Sequence, residues 1–201
     1  LFLRMIDRMQ ADDPAAAPVH IPQVLYYWRV HAASTSGGTG AKPYVQAAAQ
    51  KAVADHLAAT GRKGVVEPGK FPGLCHVRWA LPDPPPLVSI LIPNKDHADD
   101  LEKCLHSIYA RTNYDNYEVL IIENNSTDPA TFDYYKTLPQ RYEGCRVVTY
   151  QGGFNFSAIN NFGRKAAKGQ YLLLLNNDVE VLSHDWLGEL LAEASQPGVA
   201  A

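Results

Sequence analysis

The sequence predicts an α/β fold over residues 88–201, in which a parallel sheet carries helices on both faces. Three observations predict it. Short apolar runs rich in β-branched residues alternate four times with stretches of helical periodicity. Polar side chains follow every predicted strand. A run of prolines at 82–86, which fits neither a helix nor a central strand, separates this region from a partial α+β segment before it.

The proline run divides the chain into three parts: residues 1–80, a stiff linker at 81–87, and residues 88–201. A length of 201 residues gives room for one domain or for parts of two. The chain begins with Leu1 and stops without a terminating pattern. Both ends are therefore expected to be cuts through a longer protein, and the sheet is expected to be incomplete.

Residues before the linker show fewer regular elements. The aromatic-rich run 24–30 is predicted as a strand, and the Ala-rich stretch 43–60 as a helix ended by Gly61. Residues 65–81 should hold one or two short extended pieces. Because these elements are too few for an independent core, we expect them to pack against residues 88–201 or against protein outside this chain.

The second region provides the elements of the sheet. Its apolar runs predict strands at 87–92, 117–122, 146–150 and 171–175. Its helical periodicity predicts helices at 99–111, 128–138, 157–168 and 185–195. Pro93 closes the first strand, Asp128 is a candidate helix cap, and Gly169 should stop the third helix.

Composition excludes several classes of function. The net charge of −3 and a pI near 6.2 argue against a nucleic-acid partner, which needs clustered Lys and Arg. Three widely spaced cysteines form neither a disulfide framework nor a metal knuckle, and Cys104 falls on an apolar helix face; a reducing compartment fits. The apolar run at 172–175 is too short for a transmembrane segment.

Two phosphate-binding motifs are also excluded. Residues 37–42 follow a predicted strand and precede a helix, but Ala41 and Pro43 break the Gly-Lys-Ser/Thr spacing of a P-loop. The dinucleotide pattern G-x-G-x-x-G does not follow the first strand. The sequence also contains no HExxH or CxxC pair for a metal.

Polar residues follow the four predicted strands, at 93–96, 123–128, 151–155 and 176–180. The carboxyl ends of parallel strands meet at one edge of a sheet, and ligands bind there near the point where strand order reverses. These residue types are also common in turns, which explains any one loop taken alone. Their recurrence at all four strand ends favours a ligand site.

Four segments of this region resemble family 2 glycosyltransferases of the GT-A fold, a Rossmann-like parallel sheet. Residues 88–96 resemble the family's first strand, and residues 118–128 its V-V-D-D-G-S-x-D strand. Residues 161–169 are similar to its N-x-G-x-x-x-A-x-G helix, and residues 171–178 to the strand that ends in D-x-D. The Leu-Asn-Asn-Asp-Val sequence is most similar to rhamnosyltransferase-like enzymes of surface polysaccharide synthesis.

The resemblance implies a nucleotide-diphosphate sugar as donor, a saccharide or lipid-linked acceptor, and Mg²⁺ or Mn²⁺ as cofactor. Asp178 matches the last acid of D-x-D and is the metal candidate, while Asn176 replaces the first acid and Asn177 lies between them. Hard cations prefer such oxygen ligands. The alternative for Asp178 is a turn residue. Glu180 could assist Asp178, or it could be an exposed strand-end charge.

The resemblance also implies a nucleotide-binding set beyond the metal loop. Pro93 and Lys95 match the nucleotide loop, and Lys95 could equally be a solvated charge. Glu123 stands where the family has a base-contacting Asp; its alternative is a strand-end acid facing solvent. Asn155 lies near where some members contact the base, or it caps the next helix.

Residues 20–31 resemble the tail that follows the catalytic core in related enzymes, with His31 as a metal-ligand candidate for an upstream site. We therefore interpret 1–80 as the end of an upstream glycosyltransferase domain and 88–201 as the nucleotide-sugar-binding half of a downstream one. Transfer in the full protein is expected to invert the anomeric centre. The general base is expected beyond residue 201, so the isolated chain should not transfer sugar.

Two alternatives stay open from the sequence: a non-catalytic nucleotide-sugar-binding module of the same fold, and a generic doubly wound nucleotide-binding domain. The expected location is the cytoplasm. Peripheral association of the full protein with the inner face of the plasma membrane is a further expectation, since no transmembrane segment is predicted.

Overall fold

The computed structural model describes residues 2–27, 44–71 and 73–199. The chain divides into two compact units, Leu1–Ala80 and Leu81–Ala201. Some predictions lie outside the described residues: the end of the predicted strand at 28–30, the metal-ligand candidate His31, and the Gly-rich loop at 37–42.

In its described residues, the first unit contains two helices, α1 (Phe2–Asp12) and α2 (Tyr44–Ala59), and an antiparallel pair of strands, β1 (Gly64–Pro68) and β2 (Cys75–Trp79). The predicted helix at 43–60 and the extended pieces within 65–81 are confirmed. The sequence prediction missed α1. Its apolar residues have the i, i+3, i+4, i+7 spacing that would have revealed it: Phe2, Met5, Ile6 and Met9.

The predicted strand at 24–30 is wrong for its described part. Residues 24–27 have no regular structure, and Tyr26 and Tyr27 are largely exposed. A strand needs a neighbour to receive its backbone hydrogen bonds. No segment among the described residues pairs with this one, so its aromatic composition alone did not make it a strand.

The second unit is built on a four-stranded parallel sheet. Its strands are β3 (Val88–Asn94), β4 (Tyr117–Glu123), β5 (Cys145–Thr149) and β6 (Tyr171–Leu174). They lie in the order β5-β4-β3-β6. The chain therefore moves outward from β3 through β4 to β5 and then crosses back to the other side of β3. The strand order reverses at β3, between β3 and β6.

Helices α3 (Ala98–Arg111), α4 (Pro129–Arg141), α5 (Phe156–Ala166) and α6 (Trp186–Ala194) alternate with these strands, as predicted, with each end within three residues of the expected one. Alternate side chains of the strands serve two cores. Ile90 and Ile121 face α3, α4 and α6, whereas Leu91, Leu120 and Ile122 face α5. The prediction of helices on both faces of a parallel sheet is confirmed.

Cys104 lies in the first of these cores, as predicted, and burial raises the pKa of its thiol to about 11. All three cysteines are free. No helix among the described residues has the length and apolar character needed to cross a bilayer.

The start of the sheet is held by a buried carboxylate. Glu118 in β4 accepts hydrogen bonds from Ser89 Oγ (2.6 Å), from the Lys168 amide (2.7 Å) and from two nitrogens of Arg146 (3.2 Å each). Burial alone would raise the pKa of Glu118, but these donors outweigh burial and leave the pKa below its ordinary value. This network fixes the edge of the sheet opposite the polar loops.

Gly169 does not end α5, contrary to the prediction. The helix ends at Ala166, and Ala167 closes it by donating to the carbonyl of Gly163. Gly169 instead lies against the beginning of β3, where a Cβ would come 2.6 Å from the backbone nitrogen of Ser89. The residue is a glycine because two backbones meet there, not because the helix needs a cap.

Candidate functional site

The crevice of the sheet opens where β6 stops pairing with β3. The last register pair is Leu91 with Leu174, and the Leu175 amide still donates to the Leu91 carbonyl at 2.9 Å. The next bond of a parallel ladder would run from the nitrogen of residue 93 to the carbonyl of residue 175. Residue 93 is a proline, which has no N–H, so the two strands part here.

Pro93 was expected to close the first strand, but it lies inside β3, in register with Ile122 of β4. Backbone groups of successive residues point alternately to the two neighbouring strands, so the ring nitrogen of Pro93 faces β6. The backbone of Asn94 faces β4, and its carbonyl accepts from the backbone N–H of Asn124 at 2.9 Å. A proline is tolerated because no bond to β4 is lost. Beyond the parting, residues 177 and 178 form a turn.

Four side chains form a continuous hydrogen-bonded relay across the carboxyl edge of the sheet. Asn177 Nδ2 donates to Asn94 Oδ1 at 2.7 Å, and Asn94 Nδ2 donates to Tyr135 Oη at 2.7 Å. The Tyr135 hydroxyl donates to Glu123 Oε2, also at 2.7 Å. The loop after β6 is thereby tied to the end of β4 through β3 and α4.

Glu123 is buried, at 3% exposure, so the alternative of a solvent-facing acid is wrong. Its Oε1 accepts from the Ser126 amide at 2.5 Å, and its Oε2 accepts from Ser126 Oγ at 2.6 Å as well as from Tyr135. The carboxylate therefore has three donors inside the protein. In this structure Glu123 holds the loop after β4 against the end of its own strand, because two of these donors belong to Ser126.

Asp96 joins the loop after β3 to the same β4 loop. One carboxylate oxygen accepts from the amides of Thr127 (2.7 Å) and Asp128 (2.8 Å), and the Asp96 amide donates to Ser126 Oγ. The Asp128 and Thr127 amides hold the pKa of Asp96 below its ordinary value. Asp96 has a positive φ, a conformation that these contacts hold in place, and the next residue, His97, has a positive φ as well.

The loop after β5 is attached to the β4 loop by two amides. Asn124 Nδ2 and Asn125 Nδ2 both donate to the Gly152 carbonyl, at 2.9 and 2.6 Å. Farther along this loop, Asn155 caps α5 by accepting from the Ala158 amide at 3.0 Å. This is the second of the two roles that the sequence left open for Asn155. Asp128 likewise caps α4, as predicted.

The loop after β6 offers oxygen atoms at the crevice. Asn176 and Asp178 are exposed, Asn177 is half-buried, and Lys95 on the neighbouring loop is exposed. Among the described residues there is no cluster of three or more His, Cys, Asp or Glu side chains that could hold a metal. Glu180 is exposed and lines a shallow hollow with residues of α3, including Lys103 and Arg111.

This donor set fits one kind of cation. Mg²⁺ and similar hard cations are commonly held by one or two carboxylates together with phosphate oxygens and water. Asp178 can provide the carboxylate, and a diphosphate would provide the remaining charged oxygens. The arrangement therefore suits a cation that arrives with a phosphorylated ligand and does not suit a resident metal bound by protein alone.

The structure brings together most of the residues singled out from the sequence and adds others. Pro93 and Asn177 lie at the parting of β3 and β6, with Glu123 linked to them through the relay. The sequence analysis placed Asn94, Asp96 and Ser126 in the polar loops without singling out any of them as site residues, and it missed Tyr135 altogether. Asn94 and Asp96 gave a signal, because they follow the buried strand directly; Tyr135 gave none, because an aromatic residue in a helix indicates core packing.

Comparison with known proteins identifies a family for most of this unit. Residues 89–201 match the family model described as Glycosyl transferase family 2. The chain is 36% identical over 200 residues to an uncharacterised protein, y4gI, of Sinorhizobium fredii, covering 99% of this chain and 22% of that protein. It is 40% identical over 185 residues to the O-antigen biosynthesis protein RfbC of Myxococcus xanthus, covering 90% of this chain and 14% of that protein.

The fold also has a counterpart among solved structures. A mannosyltransferase of Pyrobaculum calidifontis, solved in complex with GDP-mannose and Mn²⁺, superposes with a TM-score of 0.50. It is 22% identical, and the match covers 57% of this chain and 34% of that one. This likeness confirms the GT-A fold class. The chain spans less than a quarter of the length of the two curated relatives.

Proposed function

The chain belongs to glycosyl transferase family 2, and from that membership we propose that residues 88–201 bind a nucleotide-diphosphate sugar as the donor for glycosyl transfer. The crevice between β3 and β6 is the proposed donor site. The observation that carries this proposal is the hydrogen bond from Asn177 to Asn94, which joins the loop of Asp178 to the strand-reversal point where such folds bind ligands.

Each loop has a proposed part in donor binding. Asn176, Asn177 and Asp178 receive the diphosphate, with Asp178 as ligand of a divalent cation, Mg²⁺ or Mn²⁺. When bound, that cation would neutralise the charge that develops on the leaving diphosphate. Pro93 and Lys95 line the nucleotide side, where the Lys95 ammonium adds a positive charge. The mannosyltransferase of similar fold was solved with GDP-mannose and Mn²⁺, which supports this class of ligand.

The nucleoside is proposed to lie against the loops after β4 and β5. Glu123 accepts three hydrogen bonds inside the protein, two of them from Ser126. It therefore fixes the conformation of the loop after β4, in addition to any contact with the base. Asn155 contributes by fixing the start of α5 beside the same loop. Neither side chain is proposed to take part in the chemical step.

Transfer itself is proposed for the longer protein. The relatives extend well beyond the matched region, and one is named for O-antigen biosynthesis, which supports a saccharide or lipid-linked acceptor in surface polysaccharide synthesis. We propose that the general base lies outside these 201 residues, that the reaction inverts the anomeric carbon, and that residues 1–80 end an upstream domain of the same kind. A cytoplasmic location with peripheral contact to the inner membrane face fits such acceptors.

Calorimetric titration of the chain with UDP-, dTDP- and GDP-sugars, with and without Mn²⁺, tests the donor site. We expect binding of one nucleotide class that Mn²⁺ strengthens, and Asp178→Ala should remove the Mn²⁺-dependent part. Asp115→Ala is the matched control, because Asp115 is an exposed carboxylate just before β4, at the opposite edge of the sheet. Failure of every nucleotide sugar to bind, with or without metal, contradicts the proposal.

The same titration separates the alternative of a non-catalytic module. Such a module would bind nucleotide sugars equally well with and without Mn²⁺, and Asp178→Ala would have no effect. Without nucleotide, Mn²⁺ alone should bind the chain weakly or not at all, because a single exposed carboxylate is a poor cation site.

A further inference from the structure

We propose that Tyr135 and Asn94 are positioning residues of the donor site: the buried relay that starts at Glu123 fixes the amide of Asn177, and with it the loop that presents Asp178. The consequence for donor binding rests on the proposed function. The relay itself is a property of the structure and can be tested without a ligand.

Three of the four members of the relay are buried, and all four come from different parts of the fold. Asn94 and Glu123 are each 3% exposed and Tyr135 is 9% exposed. They come from β3, β4 and α4, and the relay ends on Asn177 in the turn after β6. Buried polar groups are costly when a partner is lost, so an intact relay strongly favours a single arrangement of its members.

The direction of every hydrogen bond is fixed by the charge at one end and by the Asp96 backbone carbonyl, to which Asn94 Nδ2 also donates at 2.9 Å. The Glu123 carboxylate can only accept, so the Tyr135 hydroxyl donates to it and its oxygen accepts from Asn94 Nδ2. Burial raises the pKa of Tyr135, and the Glu123 carboxylate raises it further, so this phenol stays protonated over the working pH range. Asn94 Oδ1 is then left to accept from Asn177 Nδ2.

This polarity determines which atom of Asn177 is used inside the protein. Its nitrogen is committed to Asn94, and its Oδ1 takes no part in the relay. The amide oxygen next to Asp178 thus remains available as an acceptor or cation ligand, which suits a loop where only one carboxylate is present. With the amide reversed, a donor group would occupy that position.

The relay matters because the backbone ladder has already ended when the chain reaches this loop. Leu175 makes the last bond to β3, and Pro93 prevents the next. The chain is anchored again at Val181, whose amide donates to Ser107 Oγ at 2.9 Å. Between these two points the loop is held by the Asn94–Asn177 bond and by a weak contact from the Cys104 thiol to the Asn176 carbonyl at 3.7 Å. Loss of the relay should therefore loosen the loop of Asp178 while leaving the sheet intact.

Tyr135→Phe removes the central hydroxyl, and Tyr134→Phe is its matched control. The Tyr134 hydroxyl also donates to a carboxylate, that of Glu102 in α3, which is not a member of the relay. One hydrogen bond is worth roughly 1 kcal/mol, so Tyr135→Phe should weaken Mn²⁺-dependent nucleotide binding about three- to tenfold. Tyr134→Phe should leave the affinity unchanged.

Two further readouts distinguish positioning from general destabilisation. Tyr135→Phe should shift the side-chain amide resonances of Asn177 in a ¹⁵N–¹H correlation spectrum, and Tyr134→Phe should not. In an Asn177→Ala background, Tyr135→Phe should cause no additional loss of affinity, because the relay is already cut at its outer end. An additional loss there would show that Tyr135 acts by another route and would overturn the proposal.

The outcomes separate the two proposals. If the chain binds nucleotide with Mn²⁺ and Tyr135→Phe behaves like Tyr134→Phe in both affinity and spectrum, the relay has no positioning role and the donor site stands. If no nucleotide binds, the proposed function fails, and the Asn177 resonances alone decide the relay. If Tyr135→Phe does not fold, Asn177→Ala takes its place, because it cuts the relay at its outer end. Asn177→Ala must then weaken Mn²⁺-dependent nucleotide binding at least threefold. Unchanged binding overturns the proposal.

Discussion

At the scale of single residues, Glu118 is a buried carboxylate that stabilises the second unit. It collects donors from Ser89, Arg146 and the Lys168 amide, so it joins β3, β5 and the segment between α5 and β6 to one point. Arg146 also donates to the Ala166 carbonyl at the end of α5. Removal of the charge would leave these donors facing a neutral group.

Glu118→Gln should lower the free energy of unfolding at pH 7 by about 2 kcal/mol, less than for a fully buried pair because Arg146 remains about a third exposed. The folded-state pKa of Glu118 is depressed, so its stabilisation is present above its ordinary value of 4.5 and is lost as pH falls through the folded pKa. Urea unfolding from pH 7 to pH 3 measures both effects.

The variant should show a smaller loss of stability on acidification than the wild type, because part of that loss belongs to Glu118. Glu143→Gln is the control, since Glu143 is exposed and lies just before the neighbouring strand. Equal acid sensitivity in wild type and Glu118→Gln would contradict the assignment.

Residue roles were predictable from the sequence where they depend on position along the chain. Asp128 as a cap and Cys104 as a core residue follow from their place relative to a helix. Neither the membership of Tyr135 in the site nor the contacts of Ser126 could be predicted, because both depend on which strand ends the fold brings beside them. Glu123 was identified as important, but the sequence could not show that Ser126 folds back to bind it.

At the scale of elements, α5 lies close to the sheet because glycines occupy its contact points. A Cβ on Gly163 would come 2.3 Å from Cδ1 of Ile122, the flexible end of a side chain. A Cβ on Gly169, just beyond the helix, would meet backbone atoms of Ser89 and Leu87 within 2.8 Å. A side chain can rotate away, whereas a strand backbone cannot.

Gly169→Ala should therefore destabilise the protein more than Gly163→Ala, for which overpacking predicts a loss of about 1–3 kcal/mol. Gly153→Ala is the control, because nothing lies within 4 Å of the Cβ that it would add. Thermal unfolding of the three variants ranks them. The order fails if Gly163→Ala is the least stable of the three.

Elements were predictable where an apolar pattern coincides with a covered face, as in all eight elements of the second unit. The prediction failed at residues 24–27, where aromatic content suggested a strand but no described neighbour receives it. It also placed Pro93 outside its strand. A proline in the sequence indicates that one backbone hydrogen bond is missing, but it does not indicate which neighbouring strand lacks that bond.

At the scale of the whole molecule, the two units bury very different cores. Among the described residues, Leu57 is the buried apolar residue of the first unit, and the other buried apolar side chains lie in the second. Stability rises with the apolar surface that a chain removes from water. The described part of the first unit buries little apolar surface of its own.

Residues 81–201 produced alone should thus unfold cooperatively in urea, with a spectrum of amide resonances like that of the same residues in the full chain. Residues 1–80 alone should show no cooperative transition. Circular dichroism during urea titration of both pieces measures this. A sharp transition for residues 1–80 would contradict the inference from burial.

The position of the candidate site in the whole fold was the most predictable feature, and the hydrogen-bond partners within the site were the least predictable. The alternation of strands and helices fixes the carboxyl edge of the sheet as the place where polar loops converge, and the four polar strand ends indicated it. The order β5-β4-β3-β6 chooses which pair of loops forms the crevice, and no local pattern in the sequence encodes that order.

The proline at position 93 has one more consequence, for the kinetics of ligand entry. Because Pro93 prevents a ladder bond beyond Leu175, β3 and β6 are already unpaired at this point and do not have to be separated by the ligand. A nucleotide would meet two backbones that are already unpaired, with the free-energy cost of separating the strands met before the encounter. Association should then be limited by diffusion and desolvation, without a preceding slow step in which two strands are pulled apart.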